Sequence, residues 1–261
     1  MTLALAGGAF LALRESRVFA IRAIPLEWNG RLDHGRMETE IARDIEAGIG
    51  VRFSNVMGKR PWEIDLEGLG RSIRDLPWIS DARIQRVFPD RLVVSIVPKK
   101  PLAVIVVMNK QTRQGSLRPI TQDGELMPEW TSNVVPDVPF LRGEGFLKDP
   151  ALRERTVALI RALPAEGVLA RANLAEISWV APEVRGEARR ELRSSERGKS
   201  AGFSILLLSP RTEIRLGDSE IETKLVRVAH VLNYLSTQGK KAPVIDSTSV
   251  KKVVVRAHHR P

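Results

Sequence analysis

The residue types most often recruited for chemistry begin with four histidines: His34, His230, His258 and His259. His34 falls in a loop, His230 in a long helical pattern, and His258-His259 beside the C-terminus. None belongs to His-Glu-x-x-His or to another spacing that turns several ligands toward one ion, so no metal set is expected. Carboxylates are plentiful, but Glu38, Glu40, Asp44 and Glu46 share one amphipathic helical stretch. That spacing marks a solvated face, not a paired acid and base. Cysteine is absent, which removes thiol nucleophiles, disulfides and thiolate metal sites. No Gly-x-Ser-x-Gly elbow occurs, and Gly7-Gly8 lacks both the preceding strand and the following Lys-Ser/Thr of a phosphate loop. No catalytic group and no cofactor site is expected; the chain should work by binding.

The 261 residues are 43% hydrophobic, enough for two cores, and the net charge is +10. Such a charge permits nucleic acid, an anionic lipid surface or an acidic protein as partner. The basic residues are interleaved with 31 acidic ones, and no basic patch carries the aromatic platform of single-stranded binders, which argues against nucleic acid. Met1 to Leu13 contains no charged side chain. As a helix it would span roughly 20 Å, short of the ~30 Å hydrocarbon core. It reads as the outer end of a membrane-spanning helix, residues 1–17 forming that end and a juxtamembrane segment. A short buried or disordered N-terminal helix is the alternative.

The elements follow from periodicity. Residues 18–28 read as a strand interrupted at Pro25. "METEIARDIEAGIG" places Met37, Ile41 and Ile45 on one helical face, with closure expected at Gly48 or Gly50. Asp65 caps a second helix carrying Leu66, Leu69, Ile73 and Leu76 on one face, and Pro77 ends it. Two strands follow, Ile79 to Val87 and Arg91 to Val97, joined at Pro89-Asp90. This β-α-α-β-β order, residues 18–98, predicts a three-stranded sheet covered by two helices. Pro98 to Pro101 forms a stiff boundary. Beyond it, 99–261 reads as a β-rich domain with a mainly antiparallel sheet and flanking helices, so the fold class is α+β. Its signals are the run "LAVIVV", a hairpin tipped by Asp123-Gly124, extended "VPFLRGEG", a helix begun by Asp149-Pro150, strands "LAEISWV", "FSILLLS" and "TEIRLG", and a helix striped by Ile221, Leu225, Val228, Leu232 and Leu235. Ser219 with Glu222 predicts a capping box for that last helix. The charged stretch from Pro182 to Gly202 reads as a loop, and Val250 to Arg256 as a terminal strand.

The stretch "LPWISDARIQRVFPDRLVVSIVPKKPLAV" resembles the bacterial cell-division family FtsQ, also called DivIB. The resemblance rests on Leu76-Pro77-Trp78, Ala82, Ile84, Arg86, Phe88-Pro89, Leu92, Val94, Ile96, Pro101 and Ala103. Pro98 stands where the family commonly has Glu, and Val104 replaces a common aromatic. The resemblance implies a single-pass inner-membrane protein with a periplasmic POTRA domain (the β-α-α-β-β unit) and a β domain. It implies a non-catalytic divisome scaffold that binds FtsB and FtsL, connects through them to the septal peptidoglycan synthases FtsW and FtsI, and meets FtsK at the POTRA side. Other POTRA modules of envelope assembly, or a basic nucleic-acid binder, are the competing readings.

The residues themselves add a mechanism. A terminal strand leaves unpaired N–H and C=O groups that another chain can complete. In this stretch Val250, Lys252, Val254 and Arg256 would share one face and Lys251, Val253 and Val255 the other, the basic residues favouring an acidic partner segment. The plain alternative is a closing strand whose edge lysines block aggregation. Leu76 and Trp78 are expected to plug the helix–sheet junction, leaving Arg83, Arg86 and Arg91 for solvent or a partner.

Overall fold

Five apolar residues at four-residue intervals, Met37, Ile41, Ile45, Ile49 and Phe53, build the first helix, α1 (Arg36–Phe53), and all five are buried. The helix thus runs through Gly48 and Gly50, where its end was expected. Burying Ile49 and Phe53 contributes about 1.5–3 kcal/mol each, which outweighs the ~1 kcal/mol that each helical glycine costs. Gly48 also makes room: a Cβ there would stand 2.9 Å from Leu76 Cδ2. The computed structural model describes residues 19–29, 36–108, 115–181 and 201–256. The charge-free run Met1–Leu13, residues 182–200, His34, His258 and His259 lie outside them. No helix among the described residues is long and apolar enough to cross a membrane. The chain divides into two units between Lys100 and Pro101, two residues beyond the predicted boundary.

In the first unit α2 (Leu66–Arg74) is capped as expected, Asp65 accepting the Gly68 N–H at 3.0 Å. Strands β2 (Ile79–Val87) and β3 (Arg91–Pro98) form the antiparallel pair, and β1 (Leu26–Trp28) joins β3 in parallel, giving the order β1-β3-β2. Leu92, Val94 and Ile96 of β3 are wholly buried. The strand expected from residue 18 is reduced to three residues. Upstream of Pro25 the chain makes a lone bridge, Ala23 to Arg91, and Ile21 and Arg22 donate their N–H groups to Lys59 and Asp90 carbonyls instead of continuing a ladder.

The second unit holds an eight-stranded sheet. Its strands are β4 (Pro101–Met108), β5 (Gly115–Thr121), β6 (Phe140–Arg142), β7 (Leu174–Val180), β8 (Gly202–Leu207), β9 (Glu213–Gly217), β10 (Val244–Asp246) and β11 (Val254–Arg256), in the spatial order β11-β10-β9-β8-β7-β6-β4-β5. The hairpin tip falls at Asp123-Gly124, Gly124 adopting φ +79°. The sheet is more mixed than expected: β4–β6, β6–β7 and β9–β10 pair in parallel. Helices make two of these pairs possible, α3 (Gly145–Lys148) and α4 (Pro150–Ala162) carrying the chain from β6 to β7 and α5 (Ile221–Thr237) from β9 to β10, while β4 reaches β6 by way of β5.

Asp149 caps α4 as predicted, accepting the Ala151 N–H at 2.9 Å. The Ser219–Glu222 capping box does not form. Glu220 is the cap, in the left-handed region at φ 50°, with no side-chain cap bond. The short reversal from β9 into α5 uses positive φ at both Gly217 and Glu220, and the Glu220 carbonyl accepts the Lys224 N–H. Two buried cations escaped sequence reading. Arg153 donates to the carbonyls of Gly124, Phe146 and Leu147, tying the hairpin tip to α3. Lys224 Nζ donates to the Leu216 carbonyl at 2.9 Å, fastening α5 to the end of β9. Charges so buried need such partners, and neither residue type advertises burial in a sequence.

Candidate partner-binding edge

Cross-strand register places one buried aliphatic opposite the next through the second unit: Ile105, Leu141, Ile177, Ile205, Ile214 and Ile245, each at most 1% exposed. The row's next member is Val255 on β11, paired with Ile245 and 39% exposed. Beyond Val255 no strand follows among the described residues, so the apolar row stops unfinished at the sheet's rim. Val254 and Arg256 lie on the opposite face, across from Asp246 and Val244, and Val254 is 43% exposed.

The strand is shorter than the sequence predicted. Val250 to Val253 do not extend it: the Lys251 N–H is taken by Ser249 Oγ at 3.3 Å, and Val253 packs against the core from the connection. Lys251 and Lys252 are exposed upstream of the strand, so the alternating faces proposed for Val250–Arg256 hold over Val254, Val255 and Arg256. Ser249 and Asp246 bond to the turn that precedes it, and side-chain acceptors of this kind compete with a ladder.

Asp246 fixes where β11 starts. Its Oδ1 accepts from the Thr248 hydroxyl at 2.7 Å and the Thr248 N–H at 3.1 Å. Burial pushes its pKa up, but these bonds and the Arg215 and Arg256 charges prevail, holding it below the ordinary carboxylate value. Because the folded state holds Asp246 more acidic than the unfolded chain does, its contribution is complete above the unfolded pKa and fades as pH falls through the lower folded one. We expect β11 amide protection to fall selectively as the pH drops below the ordinary carboxylate range, and in Asp246→Ala at neutral pH, measured by hydrogen exchange. Equal protection of β11 at pH 3 and pH 6 would count against this role.

The opposite rim differs. The chain after β5 folds back along its outer side, with the N–H groups of Thr121, Met127 and Trp130 bonded to the carbonyls of Glu125, Pro119 and Leu117. Arg118 Nε adds a bond to the Met127 carbonyl at 3.2 Å. One edge of the sheet is therefore covered by its own chain, while the other ends on exposed valines.

In the first unit the signature residues separate by role. Trp78 is 7% exposed and its carbonyl accepts the Lys99 N–H; Leu76 is half-buried against the Gly48 surface of α1. Arg86 is exposed, and its guanidinium donates one bond, to the Ile64 carbonyl at 3.3 Å. Pro77, Phe88 and Pro89 are exposed, Phe88 to 67%. His230 is exposed on α5. Among the described residues, no three His, Asp or Glu side chains gather as a metal site.

The FtsQ-type POTRA domain family matches residues 44–97, which run from the middle of α1 to the end of β3. Similar proteins extend the match into the second unit. A cell division protein FtsQ of Myxococcus fulvus is 28% identical over 72% of this chain and 59% of its own length. One of Syntrophotalea carbinolica is 22% identical over 98% of this chain and 80% of its own. One of Allochromatium vinosum is 24% identical over 93% and 80%. The first unit thus carries an FtsQ-type POTRA domain, and the chain is similar to FtsQ proteins over most of its length. The aligned region covers less than two thirds of the Myxococcus protein and 55% of an Anaeromyxobacter relative. Within the family frame, the first unit is the POTRA domain, and the β11 edge belongs to the second unit, which the longer alignments include.

Proposed function

We propose that this FtsQ-like chain is a non-catalytic scaffold of the division machinery, anchored in the inner membrane with its bulk in the periplasm. Edge strand β11 accepts a strand of FtsB, and FtsL is held in the same assembly. Through them the chain connects to FtsW and FtsI, and so to septal wall synthesis, while the POTRA unit meets FtsK. The observation that carries this reading is the asymmetry of the large sheet: the β5 rim is covered, and the β11 rim ends an apolar row on Val255 with nothing beside it among the described residues. Backbone pairing along that rim gives affinity, and Val255 calls for an apolar side chain directly opposite it in the added strand. Arg256 on the edge, with Lys251 and Lys252 just before it, favours an acidic segment and hastens encounter.

The test compares recovery of FtsB and FtsL from solubilised membranes by the whole chain and by a chain ending at Lys252. Loss of both partners on truncation, with the second unit still folded by circular dichroism, is the expected result. Undiminished recovery would refute assignment of the edge.

A further inference from the structure

Three aromatic side chains from separate parts of the POTRA unit converge on its surface. Phe19 stands 5.9 Å between centroids from Trp62 and 6.4 Å, edge-on, from Phe88. Trp62 comes from the 3-10 turn Pro61–Glu63, Phe88 from the β2–β3 turn, and Phe19 from the entering chain. Trp62 is 42% exposed and Phe88 67%, and Val87, next to Phe88 in sequence, is exposed as well. A group of large apolar residues left in water marks an interaction surface. Backbone bonds hold it together: Ile21 N–H to Lys59 O, Gly58 N–H to Ile21 O, and Arg22 N–H to Asp90 O bind the entering chain to both turns.

We propose that this cluster rests in the headgroup layer of the anionic bilayer from which the chain emerges. The inference depends on the membrane-anchor reading given above. Phe19 follows the charge-free run Met1–Leu13 so closely that the intervening chain reaches at most ~20 Å. An apolar run within the membrane therefore keeps the cluster near its surface. Trp and Phe at that depth are the side chains that bilayer interfaces favour. Arg22 and Lys59 are exposed on the segments bonded together here, and Arg91 and Arg60 flank the same turns; the carboxylates Asp90 and Glu63 of those turns pair with Arg91 and Arg60. The surplus is basic, matching anionic headgroups. Docking of this kind would limit the tilt of the POTRA unit over the membrane.

The test uses the full chain reconstituted into phosphatidylcholine–phosphatidylglycerol vesicles whose acyl chains carry bromine, a short-range quencher of tryptophan. Wild type is expected to be quenched, and Trp62→Phe to lose most of that quenching, since Trp28, Trp78, Trp130 and Trp179 lie outside the cluster. Phe88→Ser, at a more exposed position, is expected to weaken quenching of Trp62 without unfolding. A chain that floats with the vesicles yet shows the same quenching with and without Trp62 overturns the proposal and leaves the anchor standing. Trp62 shielded from aqueous iodide but untouched by bromine overturns it too, and points to a protein cover. A chain that does not float removes the anchor and the proposal together.

Discussion

Proline at position 254 or 255 is expected to weaken partner binding at least tenfold, about 1.4 kcal/mol, measured by isothermal titration against an FtsB segment. Successive N–H groups of a strand point to opposite sides, so one of Val254 and Val255 donates toward β10 and the other toward the open rim. Proline removes that donor and places its ring where the neighbouring strand must approach. At the rim-facing position the loss falls on the partner, with β11 still paired to β10. At the other position β11 itself detaches, and binding is lost with it. Lys251→Ala and Lys252→Ala serve as contrasts: both side chains are exposed and lie outside the strand, so they should alter the salt dependence and association rate more than the final affinity. A proline variant that binds as tightly as wild type at both positions would mean that the partner docks elsewhere.

The largest stability effect is expected at Gly202. This residue opens β8 at φ +109°, and a Cβ there would land on the backbone of Gly217, the last residue of β9. Two penalties combine: a left-handed backbone disfavoured for any L side chain, and a collision with main-chain atoms that cannot turn aside. Gly202→Ala should therefore cost about 3–5 kcal/mol and lower the melting temperature of the second unit on the order of 10 °C. The bulge between Phe203 and Ser204 next to it shows where the strands give way to this close approach. Gly50→Ala is the opposite case, a helical glycine with no atom near its missing Cβ, and should stabilise the POTRA unit by up to ~1 kcal/mol. Calorimetry of the two variants separates conformational need from mere presence of glycine.

Much of the fold was legible where local signals and packing agree. The β2–β3 pair fell within a residue of expectation because Leu92, Val94 and Ile96 alternate cleanly into the core. The caps Asp65 and Asp149 were readable because a side chain can satisfy a helix start without help from distant residues. Errors arose where a local rule met a tertiary demand. Gly48 and Gly50 looked like a helix end, but the stripe continued through Ile49 and Phe53. Ser219 and Glu222 looked like a capping box, but the tight turn out of β9 left Glu220 at the start. Lys224 and Arg153 drew no reading at all, because carbonyls that hold them lie 8 and 29 residues away. At the candidate edge, the sequence indicated a terminal strand but overestimated its length. Ser249, Asp246 and Thr248 turn the chain first, and only the row from Ile105 to Ile245 reveals Val255 as its unfinished end.

Hydrogen exchange on the complex tests the central claim most directly. With an FtsB segment added, the rim-facing amides among Val254 to Arg256 should slow markedly while those of the covered β5 rim keep their rates. A formed complex in which the β11 amides exchange as in the free chain would contradict strand addition at this edge.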